Sequence, residues 1–263
     1  MLQIVVPMAG EGQRFKDAGY ALPKPLIPVS GVPMVARAVL DLPRASRVIL
    51  LMRREHVERF DAERVLREHV PSVEVVIVDK LTEGQACTVA LARDRLDPDG
   101  PVLVAACDNT HVYDADRHAA LLADGSIDCV AWTFMGDPRV QHRPAAWGWV
   151  RVAGAIDDIV EVSCKVPISS NPLADHAITG FFAFRRASIM LDSIDAMVRA
   201  NVRVNNEFYM DTVPNTIIAR GGRCVAFRVE KYIGWGTPQD YEDYRLWERY
   251  FQHIARTRSA AGS

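Results

Sequence analysis

Apolar and polar residues alternate in blocks along the first half of the chain, in a pattern typical of strands and helices in turn. Strands are predicted at residues 2–7, 47–52, 73–79 and 102–107, with helical patterns between them at 33–42, 55–69 and 84–96. Strands that are apolar on both faces and separated by helices indicate a parallel sheet with helices on each side. The pattern therefore predicts an α/β fold with a mostly parallel sheet flanked by helices.

The second half of the chain is less regular and predicts a smaller β elaboration. A hairpin is expected at residues 147–152 and 156–162, further strands at 176–184 and 224–229, and helices near 186–200, 207–220 and 237–254. The last residues, 259–263, are expected to form a loose tail. No internal repeat or low-complexity segment interrupts this order, which favours a single domain.

Composition excludes several classes of protein. The length of 263 residues suits one large α/β domain, and 49% hydrophobic residues are enough for a substantial core. A formal net charge of −2 offers no basic face for nucleic acid. The five cysteines are scattered without Cys-x-x-Cys spacing, so neither a disulfide framework nor a zinc site is expected. With no leader-like N-terminus and no apolar window of about 18 residues, we expect a cytoplasmic protein without a membrane partner.

The segment VVPMAGEGQRFKDAGYALPKPL, residues 5–26, follows the first predicted strand and combines glycines with cations. Gly10 and Gly12 allow the backbone to approach a ligand closely, and successive N–H groups in such a loop form an anion site. Arg14 and Lys24, the latter between two prolines, add full positive charges. A phosphate cradle is the favoured interpretation. Glycines for a turn and cations for the surface are the alternative.

This loop matches neither of two familiar phosphate-binding motifs. The dinucleotide fingerprint requires a third glycine where this chain has Phe15, and a P-loop requires a Gly-Lys-Ser/Thr ending that the segment lacks. The second predicted strand ends in Met52, Arg53 and Arg54 rather than in an acidic residue, which argues against a nicotinamide-dependent oxidoreductase. The loop is therefore expected to be a phosphate cradle of a third kind.

Asp108 stands directly after the fourth predicted strand, in the run VLVAACDNTHVYD. The carboxyl ends of parallel strands share one edge of a sheet, so this carboxylate is expected to face the glycine loop. Mg²⁺ binds readily through one or two carboxylates together with phosphate oxygens. Capping of the following helix is the other interpretation, because aspartate is common at helix N-termini.

Four elements in order resemble the sugar-phosphate nucleotidyltransferases, also called nucleoside-diphosphate-sugar pyrophosphorylases. They are Gly-x-Gly-x-Arg-Phe, Pro-Lys-Pro-Leu, a helix start with small residues and an aspartate after the fourth strand. The resemblance implies a Rossmann-like α/β domain. It also implies transfer of a nucleotidyl group from an NTP to a phosphorylated acceptor, a sugar 1-phosphate in the first instance, with release of pyrophosphate and Mg²⁺ as cofactor. Residues 1–140 would form the NTP-binding half, 141–240 the acceptor-binding half, and 241–263 a C-terminal helix and tail.

The same resemblance implies nucleotide-binding roles position by position. Arg14 and Lys24 correspond to cations that contact the triphosphate, and Asp108 corresponds to the metal-binding aspartate. These three are the expected catalytic residues. In the run TEGQACT, Gly84 and Gln85 correspond to the segment that reads the base. The positions of the backbone cradle complete the nucleotide-binding set: Met8, Ala9, Gly10, Glu11 and Gly12.

Acceptor-binding positions follow from further matches. EVSCKVP resembles the family's Glu-Lys-Pro element, ITGFFAF resembles the strand whose glycine lies against the acceptor, and VEKYIGWGTPQDY resembles the closing element before the last helix. The expected acceptor-binding set is Glu161, Lys165, Gly180, Glu207, Lys231 and Trp235. The implied partners are an NTP and a phosphorylated small molecule, and a homodimer is among the assemblies compatible with the sequence.

The closing element departs from the family pattern at Gly234. Many members have an aspartate there as a second metal ligand, whereas this chain reads Gly-Trp-Gly-Thr. Glu207 or Asp211, near the start of a predicted helix, could substitute, or both could be solvated helix residues. One carboxylate with the phosphates could also hold Mg²⁺.

Several alternatives therefore stay open at the level of sequence. The chain could belong with related cytidylyltransferases that act on non-sugar phosphates or phosphonates. A non-catalytic nucleotide-binding module is the alternative of a different class. The sequence fixes neither the base nor the acceptor.

Overall fold

The computed structural model describes residues 1–261, and it describes the burial of side chains as far as Arg258. Within this part the strands are β1 Gln3–Pro7, β2 Pro28–Val29, β3 Val32–Pro33, β4 Arg47–Arg53, β5 Val73–Val78, β6 Val102–Val104, β7 Asn109–Val112, β8 Cys129–Phe134, β9 Gly148–Ala153, β10 Asp158–Cys164, β11 His176–Phe184, β12 Cys224–Arg228 and β13 Lys231–Gly234. The α-helices are α1 Gln13–Asp17, α2 Met34–Leu40, α3 Arg54–Phe60, α4 Ala62–Arg67, α5 Gln85–Ala90, α6 Ala115–Ala123, α7 Arg139–His142, α8 Ala187–Arg199, α9 Val213–Ala219 and α10 Pro238–Ala261.

A nine-stranded sheet in the order β5-β4-β1-β6-β11-β8-β12-β10-β9 forms the centre of the fold. Strands β5, β4, β1 and β6 are parallel, and Val5 of β1 stands in register between Ile49 and Val104. Strand β11 runs antiparallel to both β6 and β8, whereas β8 and β12 are parallel. The predicted Rossmann-like α/β fold is confirmed. The sheet is parallel in its first half and mixed in its second, and the second-half strands extend this same sheet.

Both faces of the sheet are buried, which explains why its strands are apolar at successive positions. Val5 packs in one core cluster with Ile49 and Val104, while its neighbours Ile4 and Val6 pack in another. All three β1 side chains are at most 1% exposed. Because successive side chains of a strand point to opposite faces, each cluster covers one face of the sheet.

Two of the predicted helices in the first half are shorter than expected. The pattern at 55–69 is divided at Asp61, whose left-handed φ of 49° separates α3 from α4. The helix expected at 84–96 ends at Ala90, and a 3₁₀ turn follows at Arg93–Arg95. Apolar periodicity continues across both breaks, so it could not reveal a change of backbone direction.

Two predictions in the second half are also corrected. The helix expected at 207–220 begins as an α-helix only at Val213, and Glu207 lies in a loop where it bridges Val204. The C-terminal helix continues to Ala261, so the prediction of a loose tail is wrong for residues 259–261. The last two predicted tail residues, 262 and 263, lie outside the described residues.

Strands β7 and β13 form a two-stranded antiparallel ribbon that was not predicted. Each has four residues, too few for a recognisable alternation. Gly234 pairs with Asn109 at the end of the ribbon next to Asp108. The ribbon thereby brings the closing element to the carboxyl end of β6.

None of the helices in the described part of the chain is long and apolar enough to cross a membrane.

Candidate active site

An open cavity of about 710 Å³ lies beside the loop that follows β1. Eight of the residues expected to bind nucleotide line it: Ala9, Gly10, Glu11, Gly12, Arg14, Lys24, Gly84 and Gln85. Glu207 and Gly236 also line the cavity, so it joins segments that are distant in sequence. Met8 is buried, at 3% exposure. The volume falls in the range of small-molecule sites.

Gly12 sets the shape of the loop. Its φ is 64°, a conformation that residues with a side chain rarely adopt, and a Cβ atom there would lie 3.3 Å from Cβ of Lys24. Gly12 is also the N-cap residue of α1, and Arg14 follows in the first turn, exposed to solvent. The glycine thus allows both cations to approach one part of the cavity.

Lys24 forms an ion pair with Asp108. The side chains are 18% and 23% exposed. Burial lowers the pKa of Lys24, but the charge and hydrogen bond of Asp108, together with Cys107, raise that pKa above its ordinary value even though Arg14 opposes the lysine's charge. Lys24 is therefore a full positive charge at neutral pH, held between a carboxylate and a second cation.

The surroundings of Asp108 fix its position at the end of β6. The backbone N–H of Trp235 donates to the carbonyl oxygen of Asp108 at 2.7 Å. The amide Nδ2 of Asn109 donates to the carbonyl oxygen of Thr179 at 3.1 Å and lies 3.4 Å from Oδ1 of Asp108. A Cβ atom at Gly236 would lie 3.2 Å from Oδ2 of Asp108. A glycine at this position therefore leaves space in front of the carboxylate.

Sequence reasoning missed two of these neighbours, Asn109 and Gly236. A polar residue directly after Asp108 and a second glycine in the closing element were the available signals.

Asp108 does not cap a helix. It is followed by β7, and the N-cap of the next helix, α6, is Asp114, whose Oδ1 accepts a hydrogen bond from the backbone N–H of Arg117 at 2.9 Å. The capping interpretation is therefore wrong. The carboxylate of Asp108 is paired instead with Lys24, which lines the cavity.

The segment expected to read the base is tied by its backbone to the loop that carries Glu207. The N–H of Phe208 donates to the carbonyl oxygen of Glu83 at 2.8 Å, and the N–H of Ala86 donates to the carbonyl oxygen of Phe208 at 3.0 Å. Between them Gly84 has a φ of 131°, and a Cβ atom there would lie 2.5 Å from both the nitrogen and the oxygen of Phe208. The two segments can meet this closely because residue 84 is glycine.

Comparison with known proteins gives the family. Residues 4–160 match the family described as MobA-like NTP transferase domain. The chain belongs to this family. It is therefore a nucleotidyltransferase, and the alternative of a non-catalytic nucleotide-binding module is set aside. A comparison with curated proteins finds no match.

Solved structures of similar fold include three proteins of this kind. A nucleoside-diphosphate-sugar pyrophosphorylase from Vibrio cholerae RC9 is 22% identical, with a TM-score of 0.74 over 92% of this chain and 98% of its own. A protein assigned as a glucose-1-phosphate thymidylyltransferase, from Bacillus anthracis, is 17% identical, with a TM-score of 0.74 over 95% and 96%. The inositol-1-phosphate CTP transferase from T. maritima is 13% identical, with a TM-score of 0.71 over 93% and 94%. At these identities the likeness establishes the shared fold.

Most of the predicted acceptor-binding residues of this nucleotidyltransferase do not line the cavity. Glu161 is exposed on β10, where Oε2 accepts from Nε of Arg151 at 3.2 Å. Lys165 donates from Nζ to a carbonyl oxygen, that of Ala146, at 3.0 Å. Gly180, with a φ of 89°, lies within β11, and Lys231 is exposed on β13. Glu207 is the member of this set that the structure brings to the cavity.

The prediction that Trp235 lines the acceptor pocket is corrected. Its side chain is fully buried in a cluster with Phe15, Met34 and Tyr241, and its ring makes an edge contact with Tyr244 at 5.5 Å. The indole therefore anchors the glycine loop to α10. Its backbone N–H, rather than its ring, serves the site by holding Asp108.

The departure at Gly234 has a steric cause. A Cβ atom there would lie 2.6 Å from the ring of Tyr232, which is 7% exposed and stacked on Phe134. An aspartate at position 234 would therefore require the buried Tyr232 ring to move. Of the two residues that could replace this aspartate as a metal ligand, Asp211 does not line the cavity. Burial raises its pKa, and its Oδ2 is 3.8 Å from Sγ of Cys164.

The residues present fit a Mg²⁺ site in which the protein supplies one or two of the ligands. No cluster of three or more histidine, cysteine or acidic residues suited to a metal ion is found in the described part of the chain. Asp108 nevertheless offers a carboxylate next to Gly236, and Gly236 and Glu207 both line the cavity. Mg²⁺ commonly retains several waters and binds through one or two carboxylates and substrate phosphates. That arrangement suits Asp108 with a nucleotide triphosphate.

Replacing Gly84 with alanine is expected to lower the free energy of unfolding by about 3 kcal/mol, because the new methyl group meets the Phe208 backbone in an already unfavourable conformation. Chemical denaturation measures this, and the KM for the nucleotide is expected to rise because Gln85 moves with the segment. Gly125→Ala is the matched control, since Gly125 has open space around its Cβ position. Equal stability and KM in the two variants would contradict the close approach at Gly84.

Proposed function

We propose that this nucleotidyltransferase transfers a nucleoside monophosphate from an NTP to a phosphorylated small molecule, a sugar 1-phosphate in the first instance, and releases pyrophosphate with Mg²⁺ as cofactor. The observation that carries the proposal is the pairing of Lys24 with Asp108, near Arg14, at a cavity of about 710 Å³. Two cations suit a triphosphate, and a carboxylate suits a divalent cation bound to that triphosphate.

The reaction requires no side chain that removes a proton. An oxygen of the acceptor's phosphate attacks the α-phosphorus of the NTP, and a new P–O bond forms. The bond from the α-phosphorus to the oxygen that bridges to the β-phosphate breaks, and pyrophosphate leaves with its electron pair. Because the attacking oxygen is already anionic, catalysis depends on holding the reacting groups in line and on stabilising developing charge.

The cradle supplies both of these requirements. The planar guanidinium of Arg14 can donate to two phosphate oxygens at once, and the ammonium of Lys24 acts as a point charge. Gly10 and Gly12 leave the backbone N–H groups of the loop open to the same phosphates. Mg²⁺, when bound at Asp108, supplies Lewis-acid stabilisation of the phosphate charge.

The base and the acceptor are assigned to different side chains of the cavity lining. The Gln85 amide both donates and accepts hydrogen bonds, which suits the edge of a base. Glu207 faces the cavity from the loop tied to Gly84 and is placed at the acceptor, where a carboxylate can accept hydrogen bonds from hydroxyl groups. In this proposal residues 1–140 form the nucleotide-binding half of one domain and residues 141–240 provide the acceptor-binding half.

A second candidate is cytidylyl transfer to a non-sugar phosphate or phosphonate. The observation that favours it is the crowding at Gly234, where a Cβ atom would lie 2.6 Å from the Tyr232 ring and an aspartate would require that ring to move. Both candidates use the same cradle and differ in the base and in the acceptor.

Pyrophosphate release from CTP, GTP, UTP and dTTP tests the proposal. Each nucleotide is paired with a set of sugar 1-phosphates, with inositol 1-phosphate and with small phosphonates, in the presence of Mg²⁺ or of EDTA. We expect one nucleotide and acceptor pair to dominate, EDTA to abolish release, and the corresponding unphosphorylated acceptors to give none. Pyrophosphate release that is independent of any phosphorylated acceptor would contradict the proposed transfer.

A further inference from the structure

The C-terminal part of α10 carries a stripe of large exposed apolar side chains. Leu246, Trp247, Tyr250 and Phe251 are 59%, 60%, 51% and 63% exposed. Their spacing, with Ile254 one turn further on, places them along one side of the helix. A contiguous apolar patch of this kind on a water-exposed helix marks an interaction surface.

The first turns of α10 are anchored to the rest of the fold, but the stripe is not. Tyr241 donates from its hydroxyl to the carbonyl oxygen of Pro28 at 2.6 Å, and the hydroxyl of Tyr244 lies 2.7 Å from Oγ of Ser30. From Arg245 to residue 258 every side chain is exposed except two that are half-buried. The helix has 24 residues and is about 36 Å long. An isolated helical segment is marginal in water, so this extension would gain stability from a partner.

The charges of α10 indicate which partner fits. Its N-terminal half carries Asp243 and Glu248, while Asp240 and Glu242 are paired within the fold with Arg143 and Tyr20. Its C-terminal half carries arginines at 256 and 258 and no acidic residue. Two copies of this helix laid antiparallel place the acidic half of each against the basic half of the other. A parallel pair would place like charges together.

We propose that two copies of the chain associate through antiparallel packing of α10. A twofold axis between Tyr250 and Phe251 brings Trp247 of each copy opposite Ile254 of the other, and Asp243 opposite Arg258. An interface of this type is self-complementary, as a twofold homodimer requires. Four aromatic and aliphatic side chains of this exposure offer on the order of 400 Å² of apolar surface per copy. With the flanking polar residues, the pair reaches the low end, about 1,200 Å², of specific interfaces.

Sedimentation equilibrium of the full chain tests the association, because it gives the dimer dissociation constant. Phe251→Glu introduces a charge at the twofold axis and is expected to raise that constant at least a hundredfold. The side chain is exposed, so folding is expected to be unchanged, which circular dichroism checks. Arg249→Asp, on the opposite side of the helix, is the control and is expected to leave the constant within about twofold, the scale of an exposed charge away from the contact.

Mixing two charge variants tests the antiparallel register. Asp243→Arg places arginine opposite arginine, and Arg258→Asp places aspartate opposite aspartate, so each variant alone is expected to weaken the dimer on the order of tenfold. A mixture of the two forms heterodimers with both pairs restored, and association is expected to recover. Recovery on mixing supports the register, and its failure overturns it.

Three further outcomes would overturn the proposal. The first is a wild-type chain that stays monomeric at every concentration from 100-fold below to 100-fold above about 10 µM. The second is a dimer insensitive to Phe251→Glu, which would place the interface elsewhere. The third is a monomer that binds anionic vesicles through this stripe, which would assign the surface to a membrane.

Discussion

Replacing Asp108 with asparagine is expected to lower Mg²⁺-dependent turnover about a thousandfold. The amide has nearly the same shape but lacks the charge that a hard cation requires, and metal stabilisation of phosphate charge is worth several kcal/mol. At about 1.4 kcal/mol for each factor of ten, a loss of this size follows. Initial rates of pyrophosphate release across a Mg²⁺ titration measure the effect. A variant that keeps the wild-type rate at low Mg²⁺ would show that Asp108 does not hold the metal.

The same substitution also removes the ion-pair partner of Lys24. Its effect on the stability of the fold therefore has to be separated from its effect on the reaction rate. An unpaired ammonium that is 18% exposed is expected to lower the free energy of unfolding by about 2 kcal/mol. The double variant Lys24→Met with Asp108→Asn removes both charges and is expected to recover that stability while remaining inactive. A double variant that regains activity with its stability would assign Asp108 a structural role alone.

The parallel half of the fold could be predicted from the sequence because its signals are local. Residues of β1, β4 and β5 are apolar on both faces, and each strand has at least five residues. The ribbon of β7 and β13 carries no such signal, since its strands have four residues each and pair across more than a hundred positions. Yet this ribbon brings Gly236 to Asp108. The sequence therefore predicted Asp108 at the strand end but not its neighbours Asn109 and Gly236.

The loop that we propose binds phosphate could be predicted for a similar reason. Gly12, Arg14 and Lys24 lie within one loop, and the end of β6 next to β1 brings Asp108 to them. Parallel topology alone places the two strand ends together. The pairing of Lys24 with Asp108 could not be predicted, because it depends on the close approach of Lys24 to the backbone at Gly12.

The acceptor side depended on short motifs whose surroundings are set by distant contacts. Glu161 was assigned from EVSCKVP, but the hairpin of β9 and β10 directs it to Arg151 on the surface. Trp235 was assigned from its place in the closing element, but the aromatic cluster around Phe15 buries its ring. In both cases a neighbour far away in sequence determines where the side chain lies. Local pattern carries no information about such neighbours.

Replacing Arg14 with alanine is expected to lower kcat by about a hundredfold to a thousandfold, the usual effect of removing one preorganised donor at a transition state. Arg14 is exposed in the first turn of α1 and lines the cavity, and no ion pair to it is found within residues 1–258. Its charge is therefore not used to stabilise the fold. Thermal denaturation is expected to show no change of stability, while steady-state kinetics show the loss.

Lys16→Ala is the matched control for Arg14→Ala, because Lys16 is an exposed cation on the same short helix but does not line the cavity. A general effect of positive charge near the loop would lower the rate in both variants to a similar extent. A direct contact with the transferring phosphates lowers it in Arg14→Ala alone. Arg14→Lys refines the comparison, since it keeps the charge but loses the planar donor fork, and an intermediate rate is expected. Equal rates in wild type and Arg14→Ala would remove this arginine from the cradle and leave Lys24 as its remaining cation.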